Sequence, residues 1–251
     1  MSDPENEPTR ELTLVGSAPP LNTPAASTAA VRAGLDIKRP IARRATSAWW
    51  LHPEVATRHA HLLRLDHAIC RATVPLLRVA TEEATRRAAA DDSAARGLIE
   101  FLHHRVAQEL HHDDWLLEDY AVLDRDPAEV LDQAPPPTVA GLVGAIYYWI
   151  VHVHPIAVLG HLGALHVVAT SPAPPAELQR RTGHPAAAFR TLAHHVERAP
   201  HQADELWALL DRIPLDAVQL DLVLAAAHHT VDGYVAALRE LTFELDGRSR
   251  T

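Results

Sequence analysis

The chain contains a single cysteine, Cys70, and a single lysine, Lys38, among its 251 residues. One cysteine excludes an intramolecular disulfide framework and a zinc site built from several thiolates. Acidic residues outnumber arginine and lysine, so the formal net charge is −9, and the basic patch that neutralises phosphates is missing. The composition therefore disfavours nucleic acid and anionic membranes as partners.

Long uninterrupted apolar runs are also lacking. The most apolar stretch, VAGLVGAIYYWIVHVHPIAVLGHLGALHVVA, is interrupted by histidines at positions 152, 154, 161 and 166. Because a membrane-spanning helix needs about 18 or more consecutive apolar residues, we interpret this stretch as a pair of buried helices. The given sequence opens with no secretory signal pattern, and we expect a cytoplasmic protein.

No segment alternates apolar and polar residues as a half-buried strand does, and helical spacing dominates the rest of the chain. We predict an all-α, single-domain bundle of about seven helices over residues 47–251. Residues 1–46 have little periodicity and contain SAPPLNTPAASTAA, so we predict a flexible N-terminal segment there. The predicted helices begin near residue 53 and include 93–123, 138–169, 186–199 and 215–245, with breaks at Pro155 and Pro200.

Eighteen histidines are more than a chain of this size usually carries, and several lie at spacings that suit a metal. Glu109 and His112 are three residues apart, which on a helix directs a carboxylate and an imidazole to one side. His194, Arg198 and His201 share another helical face. The alternative explanation of both patterns is a solvated polar surface.

Other histidines lie in apolar surroundings. His166 ends the segment HPIAVLGHLGALH, where an imidazole is either hydrogen-bonded within the core or a metal ligand. His154 and His161 could line a cavity or support the site, and the sequence does not distinguish these roles. His228 and His229 are adjacent on the last helix, so one of them could reach the interior.

Three motifs occur in a characteristic order: ELHHDDWLLEDY, then YYWIVHVHPIAVLGHLGALH, then RTGHPAAAFRTLAHHVERAPHQADELWALLDRIPL. Over about residues 55–245 the chain resembles the haem-oxygenase-like non-haem iron oxidases and oxygenases, a group of iron-containing redox enzymes. The resemblance implies a seven-helix bundle with iron between core helices. It also implies O2-dependent oxidation of amino acids, fatty acids or similar small molecules, often in natural-product biosynthesis.

Four residues of this chain match the metal ligands that the resemblance implies. The Glu-x-x-His pair of the family corresponds to Glu109 and His112. The histidines of its His-x-x-x-Asp-x-x-His motif correspond to His194 and His201. The resemblance therefore implies that Glu109, His112, His194 and His201 are metal ligands.

Three other positions depart from the family pattern. His166 stands where the family has a glutamate, Arg198 where it has the aspartate, and Leu102 where a further glutamate serves a second iron. A guanidinium group repels a metal cation, so we predict no second iron. We expect Arg198 to pair with Glu109 or to hold a substrate carboxylate, which is the catalytic role assigned to it. The predicted ligands of the single ion are Glu109, His112, His166 and His194, with His201 as a fifth or outer ligand.

The function predicted from these residues is the O2-dependent oxidation of a small amino-acid-like or fatty-acid-like substrate at one non-haem metal ion. Fe(II), one per chain, is the expected cofactor, with Cu or Zn as alternatives because imidazole ligands suit both. The expected partners are O2 and the substrate, and bundles of this type often form homodimers. The alternative hypothesis is a metal-free or inactive bundle that binds a ligand or a partner enzyme.

Overall fold

The structure is a computed structural model that describes residues 24–168 and 173–248. All the regular secondary structure in these two ranges is helical, which confirms the predicted all-α class. Nine of the helices described have eight or more residues, close to the predicted seven. The elements are α1 Pro24–Trp50, α2 Val55–Ala88, α3 Ser93–Glu109, α4 His112–Ala121, α5 Ala128–Leu131, α6 Pro137–His152, α7 Ala157–Val168, α8 Pro175–Thr182, a 3-10 turn Ala186–Phe189, α9 Arg190–Leu210 and α10 Ala217–Arg248.

The centre of the bundle is the contact between α7 and α10, with α1 packed against both. The helices approach most closely at Gly160 of α7, where an added Cβ would overlap the backbone carbonyl of Val223 and come within 2.9 Å of the Ala227 nitrogen. Fully buried residues of α7, including Val158 and Leu159, complete this part of the core. The apolar run of the sequence is therefore interior helix.

The first helix lies partly in the segment that was predicted to be flexible. The predicted boundary at residue 46 falls inside α1, whose residues Val31, Leu35 and Trp49 are buried in the core. Lys38 forms an ion pair of 2.7 Å with Asp232 of α10. Residues 24–46 thus belong to the packed domain, because their alanines favour helix and Val31, Leu35 and Ala42 lie on one buried face. Residues 1–23 lie outside the described residues.

Two predicted helix boundaries need correction, and the predicted break at Pro155 is confirmed. The segment 93–123 is divided, because α3 ends at Glu109 and His111 adopts a left-handed conformation with φ of 69°. Pro155 separates α6 from α7, as its missing backbone N–H and fixed φ favour. Pro200, in contrast, lies inside α9 and does not interrupt it. The described residues include no helix long and apolar enough to cross a membrane.

Candidate metal centre

One carboxylate and two imidazoles meet where α3, α4 and α9 come together. Glu109 is the last residue of α3, His112 is the first residue of α4, and His195 lies in the second turn of α9. The Oε2 atom of Glu109 lies 3.0 Å from Nδ1 of His112, and Nε2 of His195 lies 3.3 Å from the same nitrogen. One potential ligand atom from each residue lies within 4.8 Å of the other two.

The break between α3 and α4 brings the first two of these residues together. The sequence predicts Glu109 and His112 on one face of a continuous helix, but the chain turns at Leu110 and at the left-handed His111. The turn directs the last side chain of α3 and the first of α4 towards each other. The predicted proximity is therefore correct, although its predicted cause, an unbroken helix, is wrong.

The spacing of the donor atoms is compatible with a metal ion. Metal bonds to imidazole or carboxylate measure about 2.0–2.2 Å, so neighbouring donors around one ion lie about 3.0–3.5 Å apart. The 3.0 and 3.3 Å separations at His112 Nδ1 match this spacing. A proton on that nitrogen can be donated well to Glu109 or to His195, whereas a cation would satisfy all three atoms. Two imidazoles with one carboxylate are also the donor set of many non-haem Fe(II) sites.

A buried arginine balances the charge of the carboxylate. Arg105 lies one turn before Glu109 on α3, and its guanidinium contacts Oε1 of Glu109 at 3.0 Å. Burial alone would raise the pKa of Glu109. The hydrogen bond from His112 and the positive charge of Arg105, with smaller electrostatic contributions from His112 and His195, together outweigh burial and lower that pKa. Glu109 is therefore held as a carboxylate, the form that binds metal.

The second imidazole is held neutral. Burial lowers the pKa of His195 to about 4, and His112 adds to the shift while Glu109 opposes it. Burial likewise lowers the pKa of His166 to about 4, with a further contribution from Arg105. A neutral imidazole keeps a lone pair available for a metal.

The structure places the predicted ligand His166 next to this cluster. His166, near the end of α7, borders the same cavity as Glu109 and His195. His194 lies at the edge of the cluster, where its ring stands edge-on to His112 at a centroid distance of 5.1 Å and also contacts Trp115. Coordination of a metal by His166 or His194 stays a prediction.

His201 and Arg198 are not among the residues that converge on Glu109. His201 is exposed, and its Nε2 atom lies 3.3 Å from the carboxylate of Glu205 one turn along α9. Arg198 is also exposed, and the cavity wall next to the cluster does not include it. The expected ion pair of Arg198 with Glu109 is replaced by the ion pair of Arg105 with Glu109.

Sequence reasoning missed His195 and Arg105. Spacing cannot distinguish His195 from its neighbour His194, because the direction in which α9 faces depends on its packing against α4. Arg105 did give a signal, since it lies four residues before Glu109 on a helix and such pairs face each other. This spacing alone does not identify a buried ion pair, because arginine and glutamate four residues apart are common on exposed helices.

A cavity of about 150 Å³ adjoins the cluster. Side chains from α1, α2, α4, α7, α9 and α10 surround it, together with Glu109 and Arg105 of α3. Its wall is mainly apolar and includes Leu62, Leu63, Ile69, Leu116, Leu165 and Leu192. A small molecule in this cavity would therefore lie beside Glu109 and His195 of the cluster and beside His166.

The remaining histidines that the sequence left unassigned have protein partners elsewhere. His154 Nε2 lies 2.9 Å from Asp92, and His161 Nδ1 lies 2.9 Å from the hydroxyl of Thr230. His228 and His229 each donate from Nε2 to a backbone carbonyl, of Gly34 and of Leu142 respectively, at 3.1 Å. These contacts join helices together and indicate structural roles.

Comparison with known proteins identifies the fold. No family model matches the chain, and no curated protein matches it. A crystal structure of a domain of unknown function with a haem-oxygenase-like fold, from Shewanella denitrificans OS217, is similar with a TM-score of 0.67 and 15% sequence identity, covering 86% of this chain and 90% of that one. The fold is haem-oxygenase-like.

A second solved structure is also similar in fold to this chain. A CADD-like protein of unknown function from Nostoc punctiforme PCC 73102 is similar with a TM-score of 0.56 and 11% identity, covering 83% of this chain and 98% of that one. At such identities the likeness concerns the fold alone. The chemistry of this haem-oxygenase-like bundle has to be argued from its own side chains.

Proposed function

We propose that the chain binds one divalent transition-metal ion at Glu109, His112 and His195 and oxidises a small organic substrate with O2 in the adjoining cavity. The observation that supports this proposal is the convergence of one carboxylate and two imidazoles, with ligand atoms within 4.8 Å of one another, beside a mainly apolar cavity. Fe(II) suits this donor set, and Cu and Zn are competing occupants. His166 is positioned to serve as a further ligand or as a contact to the substrate.

The surrounding side chains prepare the site for that role. Arg105 holds Glu109 in place and compensates its charge, while burial keeps His195 neutral. The leucines of the cavity wall keep water away from the reacting molecules, which strengthens electrostatic interactions there. An iron ion, when bound, would supply the activation of O2 that these side chains cannot provide themselves.

The size of the cavity restricts the substrate. An apolar cavity of about 150 Å³ holds a molecule the size of benzene, and the cavity beside Glu109 has this volume. Of the substrates that the resemblance implies, those of amino-acid size fit this space, whereas a long-chain fatty acid would require the cavity to enlarge.

Metal content provides the test. We expect protein purified without chelator, or reconstituted anaerobically with Fe(II), to contain about one equivalent of metal by mass spectrometry. His195→Ala should lose most of it, because it removes one of three converging donors. The matched control is His194→Ala, which removes the neighbouring imidazole and should retain the metal.

Three other results for the metal content would contradict the proposed site. Loss of metal in His194→Ala with retention in His195→Ala would favour the ligand set predicted from the sequence. Two equivalents per chain would contradict a single-ion site. An absence of metal in the parent after reconstitution would support the alternative, a metal-free bundle that binds a ligand or a partner enzyme.

A further inference from the structure

A second acidic group borders the cavity, apart from the metal cluster. Asp66, near the middle of α2, lines the cavity together with Cys70 one turn later and Tyr234 of α10. The Tyr234 hydroxyl donates to Oδ1 of Asp66 across 3.4 Å, a long hydrogen bond. Asp66 thus presents a carboxyl group to the cavity with only a weak partner among the described residues.

No positive side chain of the cavity wall is available to Asp66. Arg105 is the one lysine or arginine of that wall among the described residues, and its guanidinium is already bound to Glu109 and to Gln108, each at 3.0 Å. The wall also contains Asp119, which accepts a hydrogen bond of 2.9 Å from the Thr191 backbone. The other oxygen of Asp119 lies 3.6 Å from Nε of Arg190. Glu109 and Asp119 thus each have a basic partner, whereas Asp66 has none among the described residues, so a cation entering the cavity would pair best with Asp66.

The environment of Asp66 disfavours its ionised form when the cavity contains no cation. Burial raises the pKa of Asp66 to about 7, and the hydrogen bond from Tyr234 opposes this shift only partly. A buried carboxylate is stable when it is paired with a positive group and hydrogen-bonded. A positively charged ligand would supply the partner that the wall lacks.

We propose that Asp66 binds the ammonium group of a small aliphatic amine, with the apolar part of the molecule against the leucines of the cavity wall. The inference rests on the proposed function only in taking this cavity as the substrate chamber. The volume accommodates about six to eight non-hydrogen atoms, since a cavity of this size holds benzene. This assignment replaces the expectation that Arg198 holds a substrate carboxylate, because Arg198 is exposed and lies outside the wall.

Three probes of nearly equal size test the inference: 3-methylbutylamine, 3-methylbutanol and 3-methylbutanoate. Their affinities are measured by isothermal titration calorimetry at pH 7.5 with chelator-treated, metal-free protein. We expect the amine to bind at least about tenfold more tightly than the alcohol and the carboxylate to bind most weakly. An alcohol that binds as well as the amine, a preference for the carboxylate, or no measurable binding of the amine would overturn the proposal.

Variants identify the group responsible. Asp66→Asn should abolish the preference for the amine over the alcohol, while Asp204→Asn, which removes an exposed aspartate, should leave it unchanged. Asp66→Glu moves the carboxylate by one methylene and should favour 2-methylpropylamine over 3-methylbutylamine. If the preference survives in a folded Asp66→Asn protein, Asp66 is not the recognition group.

The binding measurements separate this inference from the proposed function. Because they use metal-free protein, an amine preference that depends on Asp66 would stand even if no metal binds at Glu109, His112 and His195. A metal centre without any amine preference would leave the proposed function intact and remove this inference alone.

Discussion

Two histidine-containing regions of this bundle differ in how their imidazole nitrogens are satisfied. At the junction of α6 and α7, His154 accepts a hydrogen bond from the Ile156 backbone at Nδ1 and donates from Nε2 to Asp92. At the junction of α3 and α4, Nδ1 of His112 faces both Glu109 and His195. The first imidazole has a complementary partner within 3.0 Å of each nitrogen, with Gln219 at a longer distance of 3.4 Å from Nε2. The second imidazole has two partners that compete for one nitrogen.

The difference separates structural histidines from candidate ligands. His161 resembles His154, because the Thr230 hydroxyl uses its hydrogen on the Ala226 carbonyl and so accepts from His161 Nδ1. A histidine with complementary partners stabilises the fold and has little capacity left for a metal. A histidine whose nitrogen lies close to the donor atoms of other residues can coordinate a cation together with them. Experiments that change each region separately can test this distinction.

The largest effect is expected in the structural region, at the contact of α7 with α10. Gly160→Ala would place a Cβ against backbone atoms of Val223 and Ala227, and neither helix can move without disturbing the core. We expect the free energy of unfolding to fall by about 4 kcal/mol or more, or folding to fail. Urea unfolding followed by circular dichroism measures the change.

Gly144 on α6 provides the matched control. An added Cβ at Gly144 meets no atom within 4 Å. Because alanine has a higher helix propensity than glycine, Gly144→Ala should raise stability by about 0.5–1 kcal/mol. Equal effects of the two substitutions would show that α7 and α10 are not packed as closely as described.

The next effect concerns metal-dependent stabilisation. A ligand that binds only the folded protein stabilises it by about 2.7 kcal/mol at one hundred times its dissociation constant. With Co(II) as an air-stable substitute, we expect such an increment for the parent protein and none for His195→Ala. His154→Asn should lower the basal stability yet retain the increment, because His154 contacts Asp92 and not the cluster. Loss of the increment in both variants would remove the distinction between the two regions.

A smaller effect is expected in the pH dependence of the structural region. Burial lowers the pKa of His161 from 6.5 to about 4, so between these values the unfolded chain binds a proton that the folded protein does not. The stabilisation is present above pH 6.5 and is lost as the pH falls towards 4. Each such histidine contributes about 1.4 kcal/mol per pH unit to the slope.

The variant His161→Gln should reduce the slope by that amount in urea unfolding series run with chelator between pH 4.5 and 6.5. Chelator prevents protons from competing with metal at the other region during the measurement. An unchanged slope would contradict the conclusion that His161 is buried as the neutral imidazole.

The sequence predicts the fold class well because helical periodicity and the apolar segment of α6 and α7 are local signals. It also predicts the proximity of Glu109 and His112, because the two residues are close in the sequence, although a turn between two helices brings them together. The helix α1 was missed, since its alanines and scattered apolar residues resemble a low-complexity segment until α10 covers Val31 and Leu35. Packing between distant parts of the chain cannot be read from spacing.

The residues of the candidate site depend even more strongly on packing that the sequence does not reveal. The choice between His194 and His195 depends on a rotation of about 100° around the axis of α9, which tertiary packing determines. The pairing of Arg105 with Glu109 and the cavity position of Asp66 likewise depend on which helix faces are covered. The sequence therefore indicates which residue types take part, while the structure indicates which of them converge.

The smallest effects are expected for two residues that the sequence assigned to the site. His201 and Arg198 are exposed, and the ion pair of His201 with Glu205 lies at the surface, where such pairs contribute about 0–1 kcal/mol. His201→Ala and Arg198→Ala should change the free energy of unfolding by about 0.5 kcal/mol or less and leave the metal content of the parent unchanged. Mass spectrometry and urea unfolding on the same preparations measure both quantities. Loss of metal in His201→Ala would mean that α9 faces the site differently in solution, and the ligand set predicted from the sequence would then replace the set built on His195.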